Sequence, residues 1–254
     1  MTADPWTTSL SYVSKNKVLI RGYRVEELMA RCSFGDMIYL TFTGELPSGN
    51  EGRILESIVV SSTDHGFFAP SIAATRFVSS GGVPLQAAVA SGLASLGEHH
   101  GGAVEQCSRM LHDSIANGRS ARDIVTEYRS RSQRIPGFGH PLHDPDPRVV
   151  KLLEQSEEFG IWGPHLALTL EIARELAQPL NIDGAISGIV TDIGIDWRYG
   201  KAFFLISRTV GLAAHHVEET TRERPFRTIP LEAATYDGPP ERKVPPSFGV
   251  PGLR

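Results

Sequence analysis

The sequence predicts an all-α protein with one short β-hairpin near its N-terminus. Apolar residues recur three and four positions apart along most of the 254 residues, and helix start and stop signals bracket these stretches. The chain lacks the alternation of strands and helices that builds a nucleotide-binding sheet. With 41% hydrophobic residues, it is long enough to form one large core or two modest ones.

Local signals place the elements in order along the chain. The hairpin is predicted over residues 11–23, where the polar turn Lys15, Asn16, Lys17 separates two apolar stretches. Helix N-caps are predicted at Ser33 (with Asp36), Ser48, Ser120 (with Asp123) and Asp146. Prolines open helices at Pro84 and Pro147, and glycines end helices at Gly44, near Gly97 and at Gly118. Three further helices are predicted over residues 164–178, 182–193 and 198–219.

The last 18 residues differ in composition from the rest. They contain five prolines and three glycines, which exclude a helix. Residues 237–254 are therefore predicted to be an extended arm or a disordered tail. An extended arm of this kind can lie on a partner subunit.

Charge and cysteine content exclude several classes of protein. The 25 basic and 29 acidic residues are interspersed, so we expect no nucleic-acid partner, and a few local arginines must bind any anionic ligand. The N-terminus lacks a signal-peptide pattern, and no apolar run is long enough to span a membrane. With only Cys32 and Cys107, we expect a cytoplasmic protein with free thiols and no membrane partner.

The histidines are concentrated at helix ends and in glycine-containing turns. They occur as "TDHG" (His65), "EHHGG" (His99, His100), "GFGHPLH" (His140, His143) and "AAHHVEE" (His215, His216). Glycine lets the backbone approach a ligand closely, so turns of this kind are often functional. Taken singly, each histidine is better explained by a hydrogen bond at a helix terminus or in the core.

Two other kinds of site are weaker interpretations. A metal site could use His140 with His143, or His215 and His216 with Glu219, but the sequence has neither an HExxH helix nor paired cysteines. A serine hydrolase is weaker still, since no GxSxG nucleophile elbow occurs.

Asp183 and Arg208 are charged residues in very apolar helical segments. Asp183 in "NIDG" is either a carboxylate with a pKa tuned for proton transfer or an ordinary first-turn carboxylate, and the two interpretations are about equally supported. Arg208 in "SRTVG" indicates either a carboxylate ligand, bound by its planar fork, or a structural ion pair with a glutamate.

These motifs, in this order, resemble the citrate synthase superfamily. The resemblance runs from residue 22 to about residue 219 and rests on "STDHGFFAP", "EHHGGAVEQ", "PGFGHPLHDPDPR", "NIDGAISGIVTDIGI" and "ISRTVGLAAHHVEE". The shortened chain is most similar to the compact citryl-CoA lyases. The resemblance implies a large helical domain (1–104 and 199–236), a reduced small domain (105–198) and a C-terminal arm (237–254).

The resemblance also implies roles for individual residues. His100 would hydrogen-bond the acyl-CoA thioester oxygen, His140 would contact the substrate oxygen, and Asp183 would be the general acid or base. The residues implied for binding substrate carboxylates are His65, Arg148, Arg208 and Arg227. The residues implied for binding coenzyme A are Arg131, Arg134, Pro136, Gly137, Phe138 and Gly139. The segment "RPFRTIPLEAATY" replaces the family's "RPR" motif, which supplies an arginine across a dimer interface, and offers Arg224 or Arg227 instead.

The implied reaction is reversible cleavage of citryl-CoA to acetyl-CoA and oxaloacetate through an acyl-CoA enolate. His140 would remove the hydroxyl proton, His100 would stabilise the enolate, and Asp183 would protonate its carbon. Coenzyme A would enter as part of the substrate, with no tightly bound cofactor or metal. The alternatives are a citrate or 2-methylcitrate synthase, a lyase acting on another 2-hydroxyacyl-CoA, and a non-catalytic regulatory subunit. The apolar segments 84–96 and 203–214 predict a homodimer or larger homo-oligomer.

Overall fold

The described chain, residues 6–143, 145–246 and 248 of a computed structural model, is built mainly from helices. The α-helices are α1 (Val25–Arg31), α2 (Phe34–Thr43), α3 (Glu51–Ser61), α4 (Pro70–Ser80), α5 (Leu85–Ala94), α6 (Ala103–Ala116), α7 (Ala121–Ser130), α8 (Pro147–Glu158), α9 (Pro164–Leu176), α10 (Ile182–Asp192) and α11 (Gly200–Arg222). Short 3₁₀ turns cover Gly66–Phe68, Trp197–Tyr199 and Leu231–Ala233. The predicted all-α class is confirmed.

The N-terminal sheet has one strand more than predicted. Strands β1 (Ser11–Ser14), β2 (Lys17–Ile20) and β3 (Tyr23–Arg24) form an antiparallel meander in the order β1-β2-β3. Lys17 belongs to β2 rather than to the turn, because Asn16 adopts a left-handed conformation (φ 57°) that reverses the chain within two residues.

Most predicted helix boundaries are confirmed. Ser33 with Asp36 and Ser120 with Asp123 form capping boxes, and Asp146 accepts a hydrogen bond from the Arg148 backbone. Ser48 is not a cap: its hydroxyl faces the Glu51 carboxylate at 3.4 Å, and Asn50 holds the cap position.

Several predicted helix ends are displaced by a few residues. Helix α5 ends at Ala94, three residues before Gly97. Helix α11 begins at Gly200, after a 3₁₀ turn capped by Asp196, and continues to Arg222.

The buried core has a large and a small part. The large cluster joins α2, α3 and α6–α10 with the first turn of α11. The small cluster, centred on Ala69, Ile72 and Leu212, joins α4, α5 and α11. Helix α10 is buried on all sides from Gly184 to Thr191. Asp183 lies in its first turn, so this carboxyl group is in the interior of the protein.

The C-terminal segment is extended where it is described. Residues 234–246 form no helix or strand, as predicted, while Ser247 and residues 249–254 of the predicted arm lie outside the described residues. Cys32 and Cys107 are free thiols, as predicted. None of the helices within the described ranges is both long and apolar enough to cross a membrane.

Candidate active site

Six of the predicted site residues line one cavity of about 240 Å³. They are His65, His100, His140, Arg148, Asp183 and Arg208. The cavity lies where the loop after α3, the turn before α6, the loop before α8 and the helices α10 and α11 meet. Residues that are more than 100 positions apart in sequence therefore surround one volume.

His100 is held by a serine that the sequence did not indicate. Its Nε2 lies 2.9 Å from Ser71 Oγ and accepts a long hydrogen bond from the Ser71 backbone N–H, at 3.4 Å. Since Nε2 accepts, the neutral ring carries its proton on Nδ1. Burial, and then the charge of Arg208, lower the pKa of His100, which keeps the ring neutral.

His140 is held by its own loop. Its Nδ1 accepts hydrogen bonds from the backbone N–H groups of Leu142 (3.1 Å) and His143 (3.2 Å). The neutral ring therefore carries its proton on Nε2. Burial, followed by the neighbouring His143, lowers the pKa of His140.

The turn of residues 136–139 is fastened to the start of α10. Gly139 N–H donates to the Pro179 carbonyl (2.8 Å), and the Asn181 side-chain amide donates to the Gly139 carbonyl (2.9 Å). Gly137 has a φ of 95°, and a Cβ there would lie 2.8 Å from Gly184 Cα, so only glycine fits. This close contact brings His140 and Asp183 to the same cavity.

Asp183 is a buried carboxyl group with an unsatisfied oxygen. Its Oδ1 is shielded from solvent and has no hydrogen-bond partner among the described residues. Burial raises the pKa of Asp183 to about 6, against the opposing charge of Arg148. Asp183 can therefore hold or release a proton close to neutral pH, which favours proton transfer over an ordinary helix-start role.

Arg208 is a buried cation without a carboxylate partner among the described residues. It is only 2% exposed, and its Nε and Nη1 donate to the Ser62 carbonyl (3.1 Å) and to Ser71 Oγ (3.3 Å). Burial lowers the pKa of Arg208, although the nearby Asp64 opposes this effect. The alternative of a glutamate ion pair is not found in the described chain, and the arrangement favours an anionic ligand.

Arg148 is only partly available to a ligand. Its Nε and Nη2 donate to the two oxygens of buried Asp146, at 3.0 and 2.7 Å, in a bidentate pair. Asp146 also caps α8, so the same carboxylate fixes both the helix start and the guanidinium. The remaining edge of Arg148 is what a substrate can use.

His65 stands beside the other loop histidines. Its ring centroid lies 5.9 Å from that of His140 and 6.0 Å from that of His143, and one nitrogen from each of the three rings falls within 4.8 Å of the others. A divalent cation does not fit this group well, because the free nitrogen of His140 carries its proton. Burial, followed by Arg148 and Arg208, lowers the pKa of His65.

The remaining predicted residues lie elsewhere. Arg227 does not line the cavity of its own chain, because a bidentate pair with Glu219 (2.8 and 2.7 Å) holds it. Arg131 pairs with Glu127 at 2.8 Å. Arg134 and the buried Phe138 line a separate cavity of about 200 Å³.

Most of the chain is similar to a known protein family. Residues 49–229 match the family pattern "Citrate synthase, C-terminal domain". The solved citryl-CoA lyase from Hydrogenobacter thermophilus is 39% identical, covers 94% of this chain and 97% of its own, and superposes with a TM-score of 0.90.

Curated relatives are larger proteins. A probable ATP-citrate synthase from Dictyostelium discoideum is 27% identical over 74% of this chain, and the match spans 34% of that protein. A 2-methylcitrate synthase from Shewanella oneidensis is 27% identical over 80% of this chain and 55% of its own length. The chain thus spans about a third of the first relative and about half of the second.

Proposed function

Because this chain belongs to the citrate synthase family, we propose that it cleaves citryl-CoA to acetyl-CoA and oxaloacetate, a reaction that can also run backwards. One observation carries the proposal: a carboxyl group with a raised pKa, two neutral histidines and an unpaired arginine surround a single cavity. The similarity to a citryl-CoA lyase along nearly the whole of both chains supports this substrate.

Arg208 and His65 bind the substrate carboxylates in the proposed site. Arg208 is buried and has no carboxylate ion-pair partner among the described residues, so a substrate carboxylate would form a charge-assisted hydrogen bond with it. The free edge of Arg148 adds a second donor. Arg227 could contribute only to a partner subunit's site, since Glu219 holds it away from its own.

The enolate is stabilised from the other side of the cavity. His100 presents Nδ1–H to the thioester oxygen, where negative charge develops as the carbon-carbon bond breaks. Asp183 in its acid form then protonates the enolate carbon to give acetyl-CoA. In the condensation direction the Asp183 carboxylate removes the same proton.

The tautomer of His140 supports only part of its predicted role. Nε2–H can donate to the substrate oxygen, which is what condensation requires of it. Removal of the hydroxyl proton by His140 is not supported, because Nε2 already carries a proton while Leu142 and His143 donate to Nδ1. We therefore assign His140 to donating its Nε2–H in a hydrogen bond to this oxygen. In cleavage, the hydroxyl proton passes to solvent water as the carbon-carbon bond breaks, and in condensation water returns it.

We further propose a coenzyme A site and a division of the chain into two domains. The cavity lined by Arg134 and Phe138 would receive part of coenzyme A, and Arg131, three residues before Arg134 in the chain, would meet its phosphates. The proposed large domain (1–104, 199–236) would carry His65, His100 and Arg208, and the small domain (105–198) would carry His140, Arg148 and Asp183. The mechanism needs no tightly bound cofactor, and we propose a cytoplasmic location.

Turnover of citryl-CoA tests the reaction. We expect the purified protein to release oxaloacetate and acetyl-CoA, and His100→Ala to lower the rate because the enolate loses its hydrogen-bond donor. Coupled assays for both products measure this. A wild-type rate no higher than that of His100→Ala would reject citryl-CoA as the substrate.

The same preparation separates the alternatives. Release of free coenzyme A from oxaloacetate with acetyl-CoA or propionyl-CoA would indicate a synthase. Turnover by the isolated chain would eliminate a non-catalytic regulatory subunit.

We also propose a homodimer formed through α5 and α11. Helix α5 is largely apolar yet exposed, and Val210 on α11 is 61% exposed. Val210→Glu should dissociate the dimer, which sedimentation at micromolar concentration measures. Val13→Glu, at a valine that is 71% exposed on β1, is the matched control and should leave the dimer intact. A monomeric wild type would contradict the proposal.

A further inference from the structure

Resting on the proposed function, we propose that His215 of α11 is a positioning residue for carboxylate binding. It acts through Asp64 on residues 62–65, the loop that carries His65 and accepts a hydrogen bond from Arg208. The sequence indicates His215 only as a weak metal-site candidate, and the proposed reaction does not use it.

The loop lies directly on α11. A Cβ at Gly211 would stand 2.3 Å from the Thr63 carbonyl oxygen, so the loop backbone packs against the helix at a position that only glycine allows. One turn earlier, Arg208 Nε donates to the Ser62 carbonyl at 3.1 Å. A shift of the loop would therefore move both His65 and a hydrogen-bond acceptor of Arg208.

His215 holds the end of this loop by a fixed tautomer. Its Nδ1 lies 3.2 Å from Arg76 Nη1, and an arginine can only donate, so Nδ1 accepts. Nε2 then carries the proton and donates to the Asp64 carboxylate, at 3.2 and 3.4 Å from its two oxygens. The His215 side chain is 14% exposed, whereas that of Asp64 is 45% exposed. Without His215, we expect water to compete for Asp64.

The anchor of His215 is itself rigid. Arg76 is buried, pairs with Glu219 and stacks over the Phe67 ring at 5.0 Å. Glu219 also receives the bidentate pair from Arg227. This buried network fixes His215, and His215 in turn fixes Asp64, whose charge acts on Arg208.

The test compares two substitutions of His215. His215→Phe keeps the ring size and removes both hydrogen bonds, whereas His215→Gln offers one donor and one acceptor in their place. For condensation, His215→Phe should raise the KM for oxaloacetate roughly tenfold, the scale of one hydrogen bond to a charged group, and leave the KM for acetyl-CoA unchanged. His215→Gln should restore the KM for oxaloacetate.

The neighbouring histidine is the matched control. His216 lies on the same helix, and its Nδ1 is 3.0 Å from Ser79 Oγ, away from the cavity. His216→Phe should leave both KM values unchanged. Equal effects of His215→Phe and His216→Phe, a fall in kcat alone, or failure of His215→Gln to restore the KM would overturn the positioning role.

Measuring oxaloacetate binding directly tests the role of His215 independently of whether the protein turns over citryl-CoA. If the wild type does not turn over citryl-CoA, calorimetric titration with oxaloacetate still compares wild type with His215→Phe, and a wild type that binds no oxaloacetate overturns the inference. If His215→Phe fails to fold, Asp64→Ala in the half-exposed loop should weaken oxaloacetate binding by the same factor. Unchanged binding by Asp64→Ala would also overturn it.

Discussion

Replacing Asp183 with Asn should lower turnover by roughly 10² to 10⁴, the range expected when a positioned general acid or base is lost. The amide keeps the size of the side chain but cannot transfer the proton to the enolate carbon. Oxaloacetate should still bind, because its carboxylates contact Arg208 and His65 in the proposed site. Steady-state rates and calorimetric binding on one preparation measure both effects.

The same substitution should stabilise the fold at neutral pH. The pKa of Asp183 is raised from 3.8 to about 6 in the folded state, so the folded protein binds the proton more tightly than the unfolded chain does. Wild-type stability is therefore lost as pH rises from about 4 to about 6, by about 3 kcal/mol in total at most. Asp183→Asn should lack this loss and melt higher than wild type above pH 6.

An ordinary helix-start role predicts the reverse. Asn would then reduce stability by about 1 kcal/mol or less and leave turnover nearly unchanged. Melting curves of both proteins between pH 4 and pH 8 separate the two roles. A stable Asn variant with normal turnover removes Asp183 from the mechanism.

Replacing Arg208 with Met should weaken oxaloacetate binding by roughly 100-fold or more, since a buried charge that contacts the ligand is removed. The fold should tolerate the change better than most buried-charge substitutions, because no described carboxylate pairs with Arg208. Calorimetric titration and melting temperature measure these two effects.

Arg148→Met is the informative contrast. It would leave buried Asp146 without its bidentate partner, so we expect a loss of about 3–5 kcal/mol in the free energy of unfolding.

Arg208→Lys keeps the charge without the planar fork and should bind oxaloacetate with intermediate affinity. Normal binding by Arg208→Met would contradict its assignment to the carboxylate.

Local signals in the sequence predict most helix boundaries, because caps such as Ser33 with Asp36 act within three residues. They fail at Ser48, because its hydroxyl faces the Glu51 carboxylate and Asn50 occupies the cap position. The family motifs identified six residues that the folded chain brings to one cavity.

The partners of those residues could not be predicted in the same way. Ser71 and Asp64 reach the site only through folding, from helices and loops distant in sequence from His100 and His215. Arg227 has a partner eight residues before it on α11, yet nothing in the local sequence shows that Glu219 will face it. By contrast, Asp146 stands two residues before Arg148, so their spacing offered a signal for the pair.

The pairing of Arg148 with Asp146 has a consequence for the charge balance during a catalytic cycle. The charges of these two side chains cancel, so the remaining formal charges among the residues that line the cavity are those of Arg208 and of Asp183, which is neutral while it holds its proton. With protonated Asp183 the four groups sum to one positive charge, which suits the binding of an anionic substrate. In the proposed reaction the sum falls to zero once Asp183 has given its proton to carbon and the hydroxyl proton has left to solvent, so the attraction for the oxaloacetate dianion is weaker. The chemical step would thus promote product release, and reprotonation of Asp183 from solvent would prepare the site for the next substrate.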